Sequence, residues 1–251
     1  MKNRQLILFI YFLMQVATAN TAWATSPAVW SKAKRLYQEG LACKRSGKEA
    51  EARQYFVAAI RTDSSFTAAY SELGSLYFEQ KAYANALLYT RKAQQLGAVK
   101  TSRLTGFCSY YLGQYDQAME ALEQARTEAP ADVSILHQLA LTYAQLGDYR
   151  ACIHACMELL SLQTDAGIHC LYEVRRYYPK DEQVLYQLAH AFYRQRCYEE
   201  AVEEWKELLH LQPNNPFIMF MLGKSYMGKG DTVKGTALCD QAWMTGEMKK
   251  T

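Results

Sequence analysis

The sequence is short of the residues that break helices, with 5 prolines and 13 glycines in 251 positions. Set among many Ala, Leu, Gln, Glu, Lys and Arg, that scarcity favours helix over the Val/Ile/Thr alternation that strands require. It also lacks a strong net charge: 28 basic against 25 acidic residues give +3 with histidines neutral. Binding along a phosphate backbone needs a dense basic face, so nucleic acid is not expected as the partner. No Asn-x-Ser/Thr acceptor occurs, which favours a bacterial exported protein over a glycosylated one. No G-x-S-x-G, H-E-x-x-H or phosphate-cradling glycine loop is present, and no cysteine has an evident histidine partner, so an enzyme is not expected. What is present in quantity is apolar surface. At 50% hydrophobic the chain has ample material for a packed core, as one large domain or two small ones.

The one apolar stretch that stands out is at the start, "MKNRQLILFIYFLMQVATANTAWATS". Lys2 and Arg4 precede a run from Leu6 to Val16, followed by small-residue sites at Ala17-Thr18-Ala19 and Ala22-Trp23-Ala24. This is the layout of a cleaved secretory leader, and the run is short of the roughly 20 residues a membrane span needs. Residues 1–24 are therefore expected to be a signal peptide. Losing Lys2 and Arg4 with it brings the mature chain close to charge balance. An exported chain, periplasmic or secreted, soluble and not stably inserted in a membrane, is the expectation.

The rest of the chain repeats. Six units, 33–66, 67–98, 99–132, 133–166, 182–215 and 216–249, each place a small residue at their eighth and twentieth positions. The eighth positions are Gly40, Gly74, Gly106, Ala140, Ala189 and Gly223; the twentieth are Ala52, Ala86, Ala118, Cys152, Ala201 and Gly235. Two antiparallel helices joined by a short turn approach closely only where neither carries bulk at the crossing. Larger residues surround the crossing, among them Leu36, Leu73, Leu139, Leu188 and Leu222 from first helices and Phe56, Leu122 and Trp205 from second helices. Turn signals fall at Gly47, Gly113, Gly147 and Gly230, and Pro130 and Pro213 stop second helices.

With those residues in view, the chain from Ala33 to Lys249 resembles the tetratricopeptide repeat (TPR) family, whose unit of about 34 residues carries a loose W-L-G-Y-A-F-A-P pattern. Units 99–132 and 182–215 match it best; Glu39 and Thr105 stand where it wants leucine, which points to locally imperfect packing. The resemblance implies an all-α, right-handed α-solenoid of about six helix-turn-helix repeats that binds other proteins. The domain plan is then a leader at 1–24, a lead-in at 25–32, repeats one to four at 33–166, an irregular insertion at 167–181, and repeats five and six with the C-terminal end at 182–251.

The insertion, "GIHCLYEVRRYYPKD", is too short for a helix pair and is expected to form one short helix from about Gly167 to Tyr178, ahead of Pro179. Two readings stay open. Ile168, Leu171 and Tyr172 fill a gap between repeats four and five, or Arg175, Arg176, Tyr177 and Tyr178 present a docking element.

In a solenoid the first helix of each unit lines the concave wall, and unit positions two, five, nine, twelve and thirteen point into it. Units three to five place Arg103, Phe107, Tyr110, Tyr111, His137, Tyr186, His190, Tyr193 and Arg194 there. Tyr and Arg combine contact area with directed hydrogen bonds, which suits capture of an extended or helical partner segment. Some TPR proteins hold a partner's C-terminal carboxylate with a lysine and asparagine pair. The matching places here hold Tyr37 and Leu41, then Ser71 and Glu72, so that chaperone-tail chemistry is not implied.

Seven cysteines leave at least one unpaired, and their spacings fit no small disulfide framework. "CIHACMELLSLQTDAGIHC" holds Cys152, His154, Cys156, His169 and Cys170, ligand types enough for zinc. Cys152 and Cys156 nevertheless occupy core positions while His154 points away, so no metal or cofactor is expected. Cys43 and Cys239 also fall at core positions, and pairs such as Glu199-Glu200 and Glu203-Glu204 read as solvated helix faces. "CDQAWMTGEMKKT" carries no polar capping helix, which leaves Trp243 uncovered as a contact for a weak homodimer. The function expected first is an exported scaffold that holds a partner segment on its concave surface. The alternatives are a structural subunit of an envelope or secretion assembly and, last, a metal-dependent enzyme.

N-terminal sequencing of the exported protein should find residues 1–24 removed; a chain still beginning at Met1 would contradict the leader.

Overall fold

The computed structural model describes residues 26–248. The leader expected at 1–24 therefore lies outside the described residues. Among these the chain is all α, with thirteen helices and no strand. The helices are α1 (Pro27–Arg45), α2 (Glu49–Thr62), α3 (Thr67–Glu79), α4 (Tyr83–Gln95), α5 (Ser102–Tyr111), α6 (Tyr115–Glu128) and α7 (Val133–Leu146). They continue as α8 (Tyr149–Leu162), α9 (Thr164–Arg175), α10 (Glu182–Arg194), α11 (Tyr198–Leu211), α12 (Pro216–Lys229) and α13 (Thr232–Met248). The lead-in at 25–32 is helical from Pro27, where α1 starts with Ser26 as its cap. Pro27 suits that first helical position, where an N–H would have no partner in any case.

The chain forms two compact units, one up to Ala125 and one from Arg126. Within each, the packed pairs are helices one or two apart in sequence. In the first unit α1 packs on α2, α2 on α3, α3 on α4 and α4 on α5. In the second, α7 packs on α8, both receive α9, and α10 to α13 follow in succession. This neighbour-only packing is how a repeat that is too thin to bury its own apolar side finds cover.

All twelve small residues at the eighth and twentieth positions are buried. Their size is required. A Cβ on Gly223 would lie 2.7 Å from the carbonyl oxygen of Gly235, and one on Gly235 would lie 2.8 Å from that of Gly223, so α12 and α13 touch backbone to backbone. In the first unit Phe56 packs with Ala52 and Ala59 against Ala69, Leu73 and Leu76 of α3. Burying a side chain of that size contributes about 1.5–3 kcal/mol.

The turn inside each repeat is the same backbone device. Gly47, Gly113, Gly147 and Gly230 have φ between 73° and 101°, and the equivalent places in the other two repeats are Lys81 at 58° and Arg196 at 64°. A left-handed conformation costs a non-glycine residue roughly 1–2 kcal/mol, so in two repeats the packing of the hairpin overrides the preference of the turn residue. Entry into four helices of the second unit is set by side-chain caps. Asp132, Asp148, Asp181 and Asn215 accept from the first free N–H groups of α7, α8, α10 and α12.

The extra helix between repeats four and five is present, but α9 spans Thr164–Arg175 rather than starting at Gly167. Gly167 is one turn inside it and lies so near α8 that a Cβ would fall 2.5 Å from the backbone nitrogen of Leu160. Of the two departures from the leucine pattern, Glu39 is exposed beside Arg35, and Thr105 leaves its hydroxyl buried without a hydrogen-bond partner. No described helix is long and apolar enough to cross a membrane.

Gly223→Ala should lower stability by about 1–2 kcal/mol in urea unfolding, overpacking outweighing the gain of roughly 1 kcal/mol in helix propensity. Gly246→Ala, whose Cβ would meet only Pro216 at 3.9 Å, should be neutral or stabilising. Equal effects at the two sites would contradict the close crossing.

Candidate functional site

In the first unit the residues of interest lie on α5. Arg103 is exposed, with its guanidinium 5.3 Å from the centre of the Phe107 ring. Both line a cleft of roughly 360 Å³ together with Ser71, Ser75 and Phe78 of α3 and Lys100 of the preceding loop. Phe107 leans on Phe78 at 6.1 Å. Tyr110 and Tyr111 are drawn into packing: Tyr111 stacks on Tyr83 at 4.4 Å, and Tyr110 meets Tyr115 edge-on at 5.6 Å. Aromatic pairs in such geometries add about 0.5–1.5 kcal/mol beyond area burial, which ties α5 to its neighbours.

In the second unit α10 carries the corresponding set. Tyr186 packs between helices, edge-on to Trp205 at 5.6 Å and stacked on His190 at 6.0 Å. Tyr193 is edge-on to Tyr198 at 5.8 Å. His190 and Arg194 line a cleft of roughly 330 Å³ with Met157 and Leu160 of α8, Thr164 of α9 and Gln187. Burial, and after it the neighbouring Arg194 charge, hold the His190 imidazole below its ordinary value, so it is neutral at pH 7 and available as both donor and acceptor. His137 is not beside them; it lies on α7, 2.6 Å from a carboxylate oxygen of Glu173 on α9.

The insertion helix is held from several sides. Ile168 and Leu171 are buried, while Tyr172 is exposed and leans on Phe192 at 5.8 Å. Arg175 turns inward rather than presenting a docking charge. Its guanidinium donates to both oxygens of Glu204 at 2.6 and 2.8 Å and also to Glu207, which joins α9 to α11. Tyr177 accepts from the Gln145 amide at 2.6 Å, and Tyr178 packs edge-on against Tyr149. The reading of Glu203-Glu204 as a solvated pair is corrected at Glu204, which is only 5% exposed and is met by Arg175 from the inserted helix.

The cysteine-rich stretch places its thiols in the interior. Cys152, Cys156 and Cys170 are buried, with Cys156 and Cys170 sulfurs 3.3 Å apart, whereas His154 is exposed beside Glu158. The sulfur contact with Cys156 and then burial raise the Cys152 thiol; burial pushes that of Cys108 up to about 12. Cys43 and Cys239 are half-buried, Cys43 packed against the Phe56 core cluster and Cys239 with its sulfur beside Gly223 at the α12–α13 crossing.

Matches to the tetratricopeptide repeat family cover residues 37–99, 133–165 and 182–215, together just over half of the chain. The chain belongs to the TPR family. TPR proteins are in general non-catalytic scaffolds for protein–protein interaction. Among solved structures it is similar to a tetratricopeptide repeat protein from Parabacteroides merdae ATCC 43184, at 14% identity over 86% of this chain and 94% of that one, with a TM-score of 0.48. It is also similar to MamA from Desulfovibrio magneticus RS-1, at 21% identity over 72% of this chain and 96% of that one, with a TM-score of 0.46. No curated protein matches.

Removing Arg175 strands the Glu204 carboxyl in the interior of this TPR array. Arg175→Ala should cost roughly 3 kcal/mol, the low end for a broken buried pair because Arg175 is 25% exposed. Burial raises the Glu204 carboxyl above the ordinary value of about 4.3 against the opposing pull of Arg175. A raised carboxyl binds its proton more tightly folded than unfolded, so it destabilises as pH rises past the unfolded value. Without Arg175 that window widens upward. Denaturant titrations should therefore show the difference from wild type largest at pH 7 and shrinking towards pH 4; a pH-independent difference would contradict the assignment.

Proposed function

We propose that this TPR protein is an exported, non-enzymatic scaffold, periplasmic or secreted, that captures a segment of a partner protein on the surface its first helices line. Export rests on the leader pattern at 1–24. Capture rests on one observation above the others: Arg103, with Phe107 beneath it, lines an open cleft between the first helices α3 and α5. An exposed guanidinium over an aromatic ring, with hydroxyls from Ser71 and Ser75 opposite, offers a partner apolar contact area and directed hydrogen bonds in one place. In the second unit His190 and Arg194 offer a comparable mixed surface beside Met157 and Leu160. The contact residues proposed are Arg103, Phe107, Tyr110 and Tyr111 in the first unit and His137, Tyr186, His190, Tyr193 and Arg194 in the second. Tyr110, Tyr111 and Tyr186 contribute mostly by holding their helices in place.

A second reading, a structural subunit of an envelope assembly or a weak homodimer, draws on α13, where Trp243 is 72% and Met244 66% exposed. An exposed apolar pair of that size suits contact with a second surface.

The two readings separate by mutation. Crosslinking and affinity purification of the tagged protein from the native envelope should recover a partner, and Arg103→Ala/Tyr193→Ala/Arg194→Ala should weaken that complex at least about tenfold. Loss of the complex in Trp243→Ala/Met244→Ala, with the triple variant unaffected, would instead support the assembly reading and overturn the first.

A further inference from the structure

The inserted helix does something that the repeat pattern and the cysteine-rich motif both hide. His169 and Glu173 are four residues apart on one face of α9, and His137 of α7 faces them. Glu173 takes a hydrogen-bond contact from His137 at 2.6 Å and lies 3.8 Å from His169. One donor atom from each of the three side chains falls within 4.8 Å of the others, and the two imidazole rings are 5.8 Å apart. We infer that His137, His169 and Glu173 form a binding site for a divalent transition metal of the zinc class, which clips the inserted helix to repeat four.

The donor set decides the metal class. Two imidazole nitrogens and one carboxylate oxygen suit zinc and its neighbours, whereas calcium and magnesium favour oxygen throughout. Zinc bonds of about 2.0–2.2 Å put tetrahedral donors roughly 3.4 Å apart, so no donor pair needs to change its separation by more than about 1.5 Å. The side chains allow it. His169 is 70% exposed and can swing without disturbing the core, while His137 and Glu173, at 28% and 31%, are held on packed helices. Water supplies the fourth position, and the same exposure gives the ion its way in. An ion pair alone accounts less well for the arrangement: one carboxylate can balance a single imidazolium, yet two imidazoles converge on it. A divalent cation satisfies all three ligands at once.

Bound metal would link α7 directly to α9, at the place where the run of repeats is interrupted. It would therefore slow opening of α9, an effect that mere surface adsorption of the ion would not produce.

The test is zinc titration of the metal-free full-length protein by calorimetry, with cobalt substitution to report the ligands and hydrogen exchange to report α9. One zinc per chain is expected at micromolar concentrations, with slower exchange across 164–175 and a cobalt spectrum free of thiolate charge transfer. His169→Ala and Glu173→Gln should each weaken binding at least tenfold with unchanged circular dichroism, while His154→Ala, an exposed histidine on α8, should bind as wild type. His169→Ala removes no buried side chain, so misfolding does not obscure the result. The site would be overturned by no saturable binding, by binding that survives His169→Ala, or by a cobalt–thiolate band lost in Cys170→Ala, which would put the metal on the cysteines.

Discussion

The structure depends on how closely two helices of a hairpin can approach. At Gly223 and Gly235 the approach is backbone on backbone, and buried small residues stand at the same two places in every repeat. That closeness brings the flanking Leu, Phe and Trp side chains of both helices onto one side. The hairpin is then apolar on a face it cannot cover by itself. Its neighbour along the chain covers it, and polar contacts between repeats follow the same spacing: Gln80 donates to Glu49, Tyr149 to Asp181 and Lys229 to Glu199. Stability in such an array is close to a sum of repeat and nearest-neighbour terms.

The same constraint leaves first-helix side chains outside the core. Arg103, Phe107, His190 and Arg194 line clefts because the small residues of their helices are turned the other way, towards their hairpin partners. The aromatic residues divide by helix face. Tyr186 belongs to packing through Trp205, and Tyr111 through Tyr83, while Phe107 serves both packing and the cleft. In the capture proposed above, a preformed surface of this kind would lower the entropy cost of binding, because its side chains are already ordered.

The repeat was legible in the sequence because its signal is periodic: small residues at fixed places, large ones around them and glycine at most turns. Lys81 and Arg196 carry no such signal, and only the hairpin geometry reveals that they adopt the glycine conformation. The insertion was the least legible part. Its helix starts three residues early because the single extended residue Gln163 ends α8 and opens α9 at Thr164, and nothing local marks Arg175 as an internal ion. Glu204 was misread for the same reason, since its partner sits 29 residues away on an element outside the period. The convergence of His137 with His169 and Glu173 is a long-range event of that kind, 36 residues apart between His137 and Glu173 and matching no spacing motif. The nearby cysteines, which do resemble a ligand motif, are instead core thiols. Periodic information predicts what each repeat shares; what interrupts the period has to be read from contact.

The account's central claim is that each hairpin is covered by its neighbours and by little else. Native-state hydrogen exchange, followed along both units across a denaturant series, tests it most directly. Opening should proceed in hairpin-sized steps, with protection highest in the inner hairpins of each unit and lowest at the ends. One opening free energy shared by every helix, indicating a core common to the whole chain, would contradict it.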